Sequence, residues 1–294
     1  MITLSPEEEK LVREVGPIDD NILKRGFQQI FLKDWYGNQG ELWNCVTCSS
    51  NCCTGPGCLH CPLHRMNMYL LSLGDTRRER AKFFHELLRM PVDKWRSPRL
   101  IFVCLHGDLF HPDIPTINIA QMFAVMAMRP DHVFIVLTKR ALRLEQLLGS
   151  ADFRKLVLEE GHKLFGDGFS LGNAWGANVL VGVSAENQSC MDQRAMALTR
   201  IPETFGRVLF VSPLLAMTII PEEVLRCLDW IVCCREVGWG HCKARPCKDE
   251  WIRSIADQSF GADIPFFLED RPSKDEFSEF GFIPRQYPPI LARR

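Results

Sequence analysis

Leu100 to Leu105 reads L-I-F-V-C-L, Ile117 to Met128 reads I-N-I-A-Q-M-F-A-V-M-A-M, and Val133 to Leu137 reads V-F-I-V-L. A short apolar run, a polar turn and a segment of helical period thus lead into a second short apolar run. The same unit repeats as far as Leu268. Further strands are predicted at Val179 to Val183, Val208 to Val211, Trp230 to Cys233 and Pro265 to Leu268. Helices are predicted at Leu142 to Leu148, Phe153 to Phe165, Met191 to Arg200, Glu222 to Leu228 and Lys248 to Ser259. Nearly all strand positions are apolar, as parallel strands covered on both faces require. Right-handed crossovers then favour a barrel or a doubly wound sheet.

Polar residues cluster just past these strands, in His106-Gly107-Asp108, Thr138-Lys139-Arg140, Ser184-Ala185-Glu186-Asn187 and Ser212. Loops from many parallel strands converge at their carboxyl ends, so a site is expected there. Outward from this core, residues 1–40 form a lead-in, with Ser5-Pro6 and Glu8 marking a helix start near residues 6 to 14. Residues 41–270 form the α/β unit. The stretch 271–294 is rich in proline and charge without periodicity and is expected to pack irregularly or not at all.

The chain has 294 residues, 46% hydrophobic content and a net charge of −1. Such a length buries a substantial core, and such a charge removes bulk electrostatics as a reason for nonspecific nucleic-acid binding. No apolar run approaches the roughly 20 residues of a membrane-spanning helix, and the N-terminus lacks the pattern of a signal peptide. A soluble protein of the cytoplasm, working without a membrane, is expected.

Thirteen cysteines are present, six of them between Cys45 and Cys61. Without an export signal, and in so long a chain, this density points to metal rather than disulfides. The segment reads W-N-C-V-T-C-S-S-N-C-C-T-G-P-G-C-L-H-C, residues 43–61. Cys58 and Cys61 form a C-x-x-C bite suited to one metal centre, and a third thiolate comes from Cys53, Cys52 or Cys48. Three thiolates on a four-iron cluster leave one iron open to bind and reduce a substrate. The pairs Cys45/Cys48 and Cys58/Cys61 equally satisfy a four-cysteine structural zinc site. Gly55, Pro56 and Gly57 let the backbone pass close to a cluster or make an ordinary tight turn. Leu63 to Leu73 follows as a helix, with Met66 and Met68 as core filler.

Taken in order, several motifs resemble a phage and bacterial family of three-cysteine-motif proteins that are radical S-adenosylmethionine-like. They are W-N at 43–44, P-G-C-x-H-C at 56–61, D-L-F-H-P-D-I-P at 108–115 and V-L-T-K-R at 136–140. After them come V-G-V-S-A-E-N-Q at 181–188, F-V-S-P-L-L at 210–215, L-D-W-I-V at 228–232, A-R-P at 244–246 and I-P-F-F at 264–267. The resemblance departs at Asn51, where the family places its first cysteine, so Cys53 or Cys52 must substitute. It departs again at Cys233-Cys234-Arg235-Glu236, where the family has a glycine pair before an acidic residue.

The resemblance implies a partial (β/α) barrel of the radical S-adenosylmethionine type, with a cysteine-rich cluster-binding loop near its first strand. Cys53, Cys58 and Cys61 then hold a 4Fe-4S cluster, and S-adenosylmethionine lies across the strand ends. Cleavage of the cofactor yields a 5′-deoxyadenosyl radical that abstracts hydrogen from substrate, with an electron donor such as flavodoxin or ferredoxin. Asp108 is expected to meet the cofactor's ammonium or to cap its loop. Thr138 lies in the same cofactor-handling set. Lys139 or Arg140 pairs with a carboxylate or phosphate, or is solvated. Ser184, Glu186 and Asn187 suit ribose hydroxyls. His106 and His111 serve a proton transfer or are structural. Trp239 and Arg245 stack on a base or close the barrel bottom. Cys233, Cys234, Cys242 and Cys247 bind a second metal or are inert buried thiols. Phage association points to a DNA base as substrate, such as an amino-acid-decorated thymidine handled in the host cytoplasm. The alternatives are a radical enzyme acting on a protein or small metabolite, and a zinc-stabilised nucleic-acid or protein binding module.

Overall fold

The computed structural model describes residues 40–47, 49, 55–74, 76, 79–173, 175–238, 243–269 and 285–292. The lead-in helix near 6 to 14, Cys48, Cys52, Cys53, Trp239 and Cys242 lie outside them. Among the described residues seven strands form one sheet: β1 (Gly40–Trp43), β2 (Leu100–Val103), β3 (Val133–Thr138), β4 (Val179–Ser184), β5 (Gly206–Val211), β6 (Trp230–Cys233) and β7 (Phe266–Leu268). Their spatial order is their chain order, and every neighbouring pair is parallel. A doubly wound sheet reverses direction at a switch point. This one does not, and it curls into a half-barrel.

Alternation along each strand sends side chains to two separate cores. On the convex face Ile101, Val103, Phe134, Val136, Val181, Leu209 and Ile231 pack among the helices. The first of these helices in the repeat, α3 (Thr116–Met128), is apolar almost all round because it is wedged between the sheet and α5 (Ala151–Phe165). Ser150 caps α5 by accepting from Phe153 N at 3.3 Å, and Gly166 ends it at φ 86°, a conformation glycine adopts without strain. The remaining helices among the described residues are α1 (Pro62–Ser72), α2 (Met90–Asp93), α4 (Ala141–Leu148), α6 (Gln188–Arg194), α7 (Glu222–Leu225), α8 (Asp249–Gly261) and α9 (Pro289–Ala292). The helix expected over Met191 to Arg200 is α6 followed by a 3₁₀ turn at Ala195–Arg200.

The concave face holds Leu100, Phe102, Val133, Ile135, Leu180, Val208, Trp230, Val232 and Phe267, joined by Leu291 from the C-terminal segment. Residues 285–292, in the stretch expected to pack irregularly or not at all, do pack here. Arg285 bridges antiparallel to Phe267, Trp230 Nε1 donates to Gln286 O at 3.0 Å, and the Tyr287 ring lies 5.3 Å from Phe267 and 6.0 Å from Trp230. These contacts fall at the first residues of β6 and β7, so the segment closes the amino-terminal end of the half-barrel. Aromatic burial there rewards a segment that composition alone marks as irregular. Among the described residues no helix is long and apolar enough to cross a membrane.

Candidate functional site

The opposite, carboxyl-terminal end of the sheet is polar. A 3₁₀ turn at Pro56–His60 lies across it, begun by proline and closed by Cys58 N donating to Gly55 O at 2.9 Å and Cys61 N donating to Cys58 O at 3.0 Å. The turn carries Cys58, buried, and Cys61, half-buried, and runs directly into α1. Three strand ends brace it.

At β3, Lys139 Nζ lies 3.3 Å from Cys58 Sγ. At β4, Glu186 is fully buried; one oxygen accepts from Lys139 at 2.5 Å and the other from Arg194 at 2.9 Å. Arg194, on α6, also donates to Ser184 O at 2.7 Å. Burial works to raise the Glu186 carboxyl, but Lys139 and Arg194 outweigh it and hold its pKa below the usual value. The two glycines rest on this carboxylate. A Cβ on Gly55 would stand 2.6 Å from Glu186 Oε1, and one on Gly57 would stand 2.9 Å from Pro213 Cδ, past the end of β5. At β6, His60 Nδ1 lies 3.2 Å from Glu236 Oε2, and Arg245 clasps the same carboxylate through its backbone N and Nε, each at 2.8 Å. Burial and then the Arg245 hydrogen bonds act on Glu236 in opposite directions, and the net pKa is lowered.

Asp108 organises the neighbouring loops. Its carboxylate accepts from Thr138 Oγ1 at 2.7 and 2.9 Å, Arg140 Nη1 at 2.9 Å, Phe110 N at 2.9 Å and Lys139 N at 3.3 Å. Asp108 and Thr138 are both buried. Arg143 supports the same loop by donating to the carbonyls of Phe110, His111 and Ile114. Asn187 caps α6, its Oδ1 accepting from Cys190 N at 3.0 Å. Ser184 sits half-buried at the end of β4. His106, whose pKa burial lowers, lies 3.2 Å from Asn44 past β1. His111 is buried 3.4 Å from Ser49.

The cysteines divide by location. Cys45, Cys104 and Cys233 belong to the convex core. Burial pushes the Cys45 thiol far above its ordinary range and the Cys104 thiol up to about 12. Cys234 faces the mouth, its Sγ 2.7 Å from Ser212 Oγ. Cys247 is half-buried. Among the described residues no three His, Cys, Asp or Glu side chains gather as a metal site; Cys52 and Cys53 are not among them.

The sequence therefore brings Cys58, Lys139 and Glu186 into one contact chain and places Asp108 and Thr138 beside it. It did not identify Arg194 as the second cation on Glu186, nor the His60–Glu236–Arg245 clamp. The signal for the clamp is an acidic residue just past the last long strand, in C-C-R-E at 233–236.

Fold and site together define an α/β half-barrel with a cysteine-bearing turn across the carboxyl ends of its strands. A family profile described as "Protein of unknown function (DUF5131)" matches residues 37–276, and the chain belongs to that family. No curated protein and no solved structure matches the chain.

Proposed function

We propose that the protein is a radical S-adenosylmethionine enzyme whose 4Fe-4S cluster is held by Cys58 and Cys61, with Cys52 or Cys53 as third ligand. The observation that carries this reading is the position of the Cys58–Cys61 turn, braced at the carboxyl ends of β3, β4 and β6. In parallel α/β folds that end carries the chemistry. The donor set suits the group: two soft thiols share one turn, and the Lys139 ammonium stands 3.3 Å from Cys58 Sγ. Cys45, which the four-cysteine zinc reading requires, lies instead in the convex core where burial opposes ionisation.

When bound, cluster and cofactor supply reductive cleavage of a carbon–sulfur bond and a 5′-deoxyadenosyl radical. The chain's own residues position and shield. Glu186, anchored by Arg194, sets the height of the turn through Gly55 and Gly57. Glu236 fixes its far side through His60. Asp108 fixes the β2 and β3 loops at the same rim. The apolar floor of Leu137, Phe210 and Val232 beneath them limits water. The proposed substrate is a decorated base in DNA.

The test is anaerobic incubation of the reconstituted protein with S-adenosylmethionine and dithionite, followed by chromatography for 5′-deoxyadenosine. Formation of 5′-deoxyadenosine is expected, rising when an oligonucleotide bearing the substrate base is added. Intact S-adenosylmethionine in a fully loaded protein would refute the reading; cleavage indifferent to nucleotides would redirect the substrate to a protein or metabolite.

A further inference from the structure

We infer that Lys139 is a positioning residue that donates a hydrogen bond to the Cys58 sulfur and makes the cluster held there easier to reduce. This rests on the iron–sulfur reading above. A lysine head is ordinarily a mobile, hydrated point charge. Here it is fixed at both ends. Its backbone N donates to Asp108 Oδ2 at 3.3 Å, and its ammonium is shared between Cys58 Sγ at 3.3 Å and Glu186 Oε1 at 2.5 Å.

Glu186 cannot follow the lysine outward. It has no exposed surface, its second oxygen is held by Arg194 at 2.9 Å, and the backbone at Gly55 and Gly57 lies close against it. Lys139 and Arg194 thus bring two cations to the carboxylate beside Cys58. Arg140, the next residue, pairs with Asp108.

Gaining one electron makes an iron–sulfur cluster more negative. A nearby cation and an N–H donated to a ligating sulfur both favour that state, and hydrogen bonds to sulfur are among the determinants of cluster potential. The Lys139 side chain is only 23% exposed, so solvent screens this field incompletely. Its role is separate from substrate contact: it acts through Cys58.

The experiment is a mediated redox titration of the reconstituted protein, read by the electron paramagnetic resonance of the reduced cluster without S-adenosylmethionine. Wild type is compared with K139M, K139Q and K139R, dithionite supplying the electron. For K139M the reduced-to-oxidised ratio at a fixed poise is expected to fall about tenfold, a shift of about 59 mV to more negative potential for one electron. K139R, which keeps the charge, is expected to restore most of that loss. A lysine that only stabilised the fold would alter iron content or melting temperature and leave the potential in place.

K139M with full iron and the wild-type potential would overturn the inference, as would a K139R shift as large as that of K139M. Should K139M fail to assemble, K139Q decides by the same comparison. A wild-type protein that takes no iron sinks the iron–sulfur reading itself and this inference with it; a brown protein with unshifted variants sinks the inference alone.

Discussion

Cys45 and Cys58 belong to the same cysteine-rich segment and have opposite surroundings. Cys45 follows β1 into the convex core, where its backbone O accepts from Phe84 N at 2.8 Å and its thiol is sealed from solvent. Burial drives that thiol away from ionisation, and the neighbouring Cys104 is driven the same way. Cys58 sits on the turn at the polar mouth with an ammonium 3.3 Å from its sulfur. In the proposed reading, the side of the sheet on which a cysteine falls, rather than its spacing from the next, separates a packing residue from a ligand.

The sharpest break of this contrast is to remove one member at a time. C58A and C61A are each expected to reduce bound iron after reconstitution to background, whereas C45A keeps the wild-type amount, measured as iron per protein. Iron loss in C45A with retention in C58A would invert the assignment.

The next effect lies in the brace. E186Q leaves Lys139 and Arg194 facing a neutral amide, and removing one partner from a buried charge network costs about 3–5 kcal/mol. Urea unfolding of the metal-free protein measures it. The pH dependence has a defined sign. A carboxyl whose folded pKa lies below its ordinary 4.5 contributes fully above that value and loses its contribution as pH falls through the folded pKa. Wild type should therefore lose its advantage over E186Q on acidification below about 4.5; an advantage that persists there would show that the carboxylate's charge is not what holds the turn.

At the other end of the barrel, W230A empties the ring cluster of Trp230, Phe267 and Tyr287. A loss of about 3 kcal/mol is expected, with iron binding retained in the folded fraction. Loss of iron without loss of stability would mean that the two ends are not independent. The smallest effect is on Cys45 itself: C45A should cost about 1 kcal/mol, a packing loss that the same unfolding curves resolve.

The strands were legible where the chain is apolar on both faces, as in V-F-I-V-L at 133–137 and W-I-V-C at 230–233. Strand β1 was not. G-E-L-W at 40–43 is an edge strand whose first three residues are half-exposed, so only Trp43 signals burial. The order of strands, which separates a half-barrel from a doubly wound sheet, is a tertiary property that periodicity does not encode. The resemblance implied only a partial barrel, without a strand order.

In the site, Cys58 and Cys61 were readable from spacing, and Asp108, Lys139 and Glu186 from their place after strands. Their partners were not. Glu186 suited a ribose hydroxyl on chemistry alone, and its closure between Lys139 and Arg194 appears only when the β3 and β4 ends and α6 converge. Asn187 suited the same role, yet its side chain is turned to cap α6. The His60–Glu236 contact joins residues far apart in the chain, and neither carries a motif that names the other.

In the proposed reading this mouth holds iron rather than zinc. That assignment is tested most directly by measuring iron, sulfide and zinc in the anaerobically reconstituted protein alongside its visible spectrum. A brown protein with about four irons and matching sulfide is the predicted result; a colourless protein holding a single zinc would contradict it.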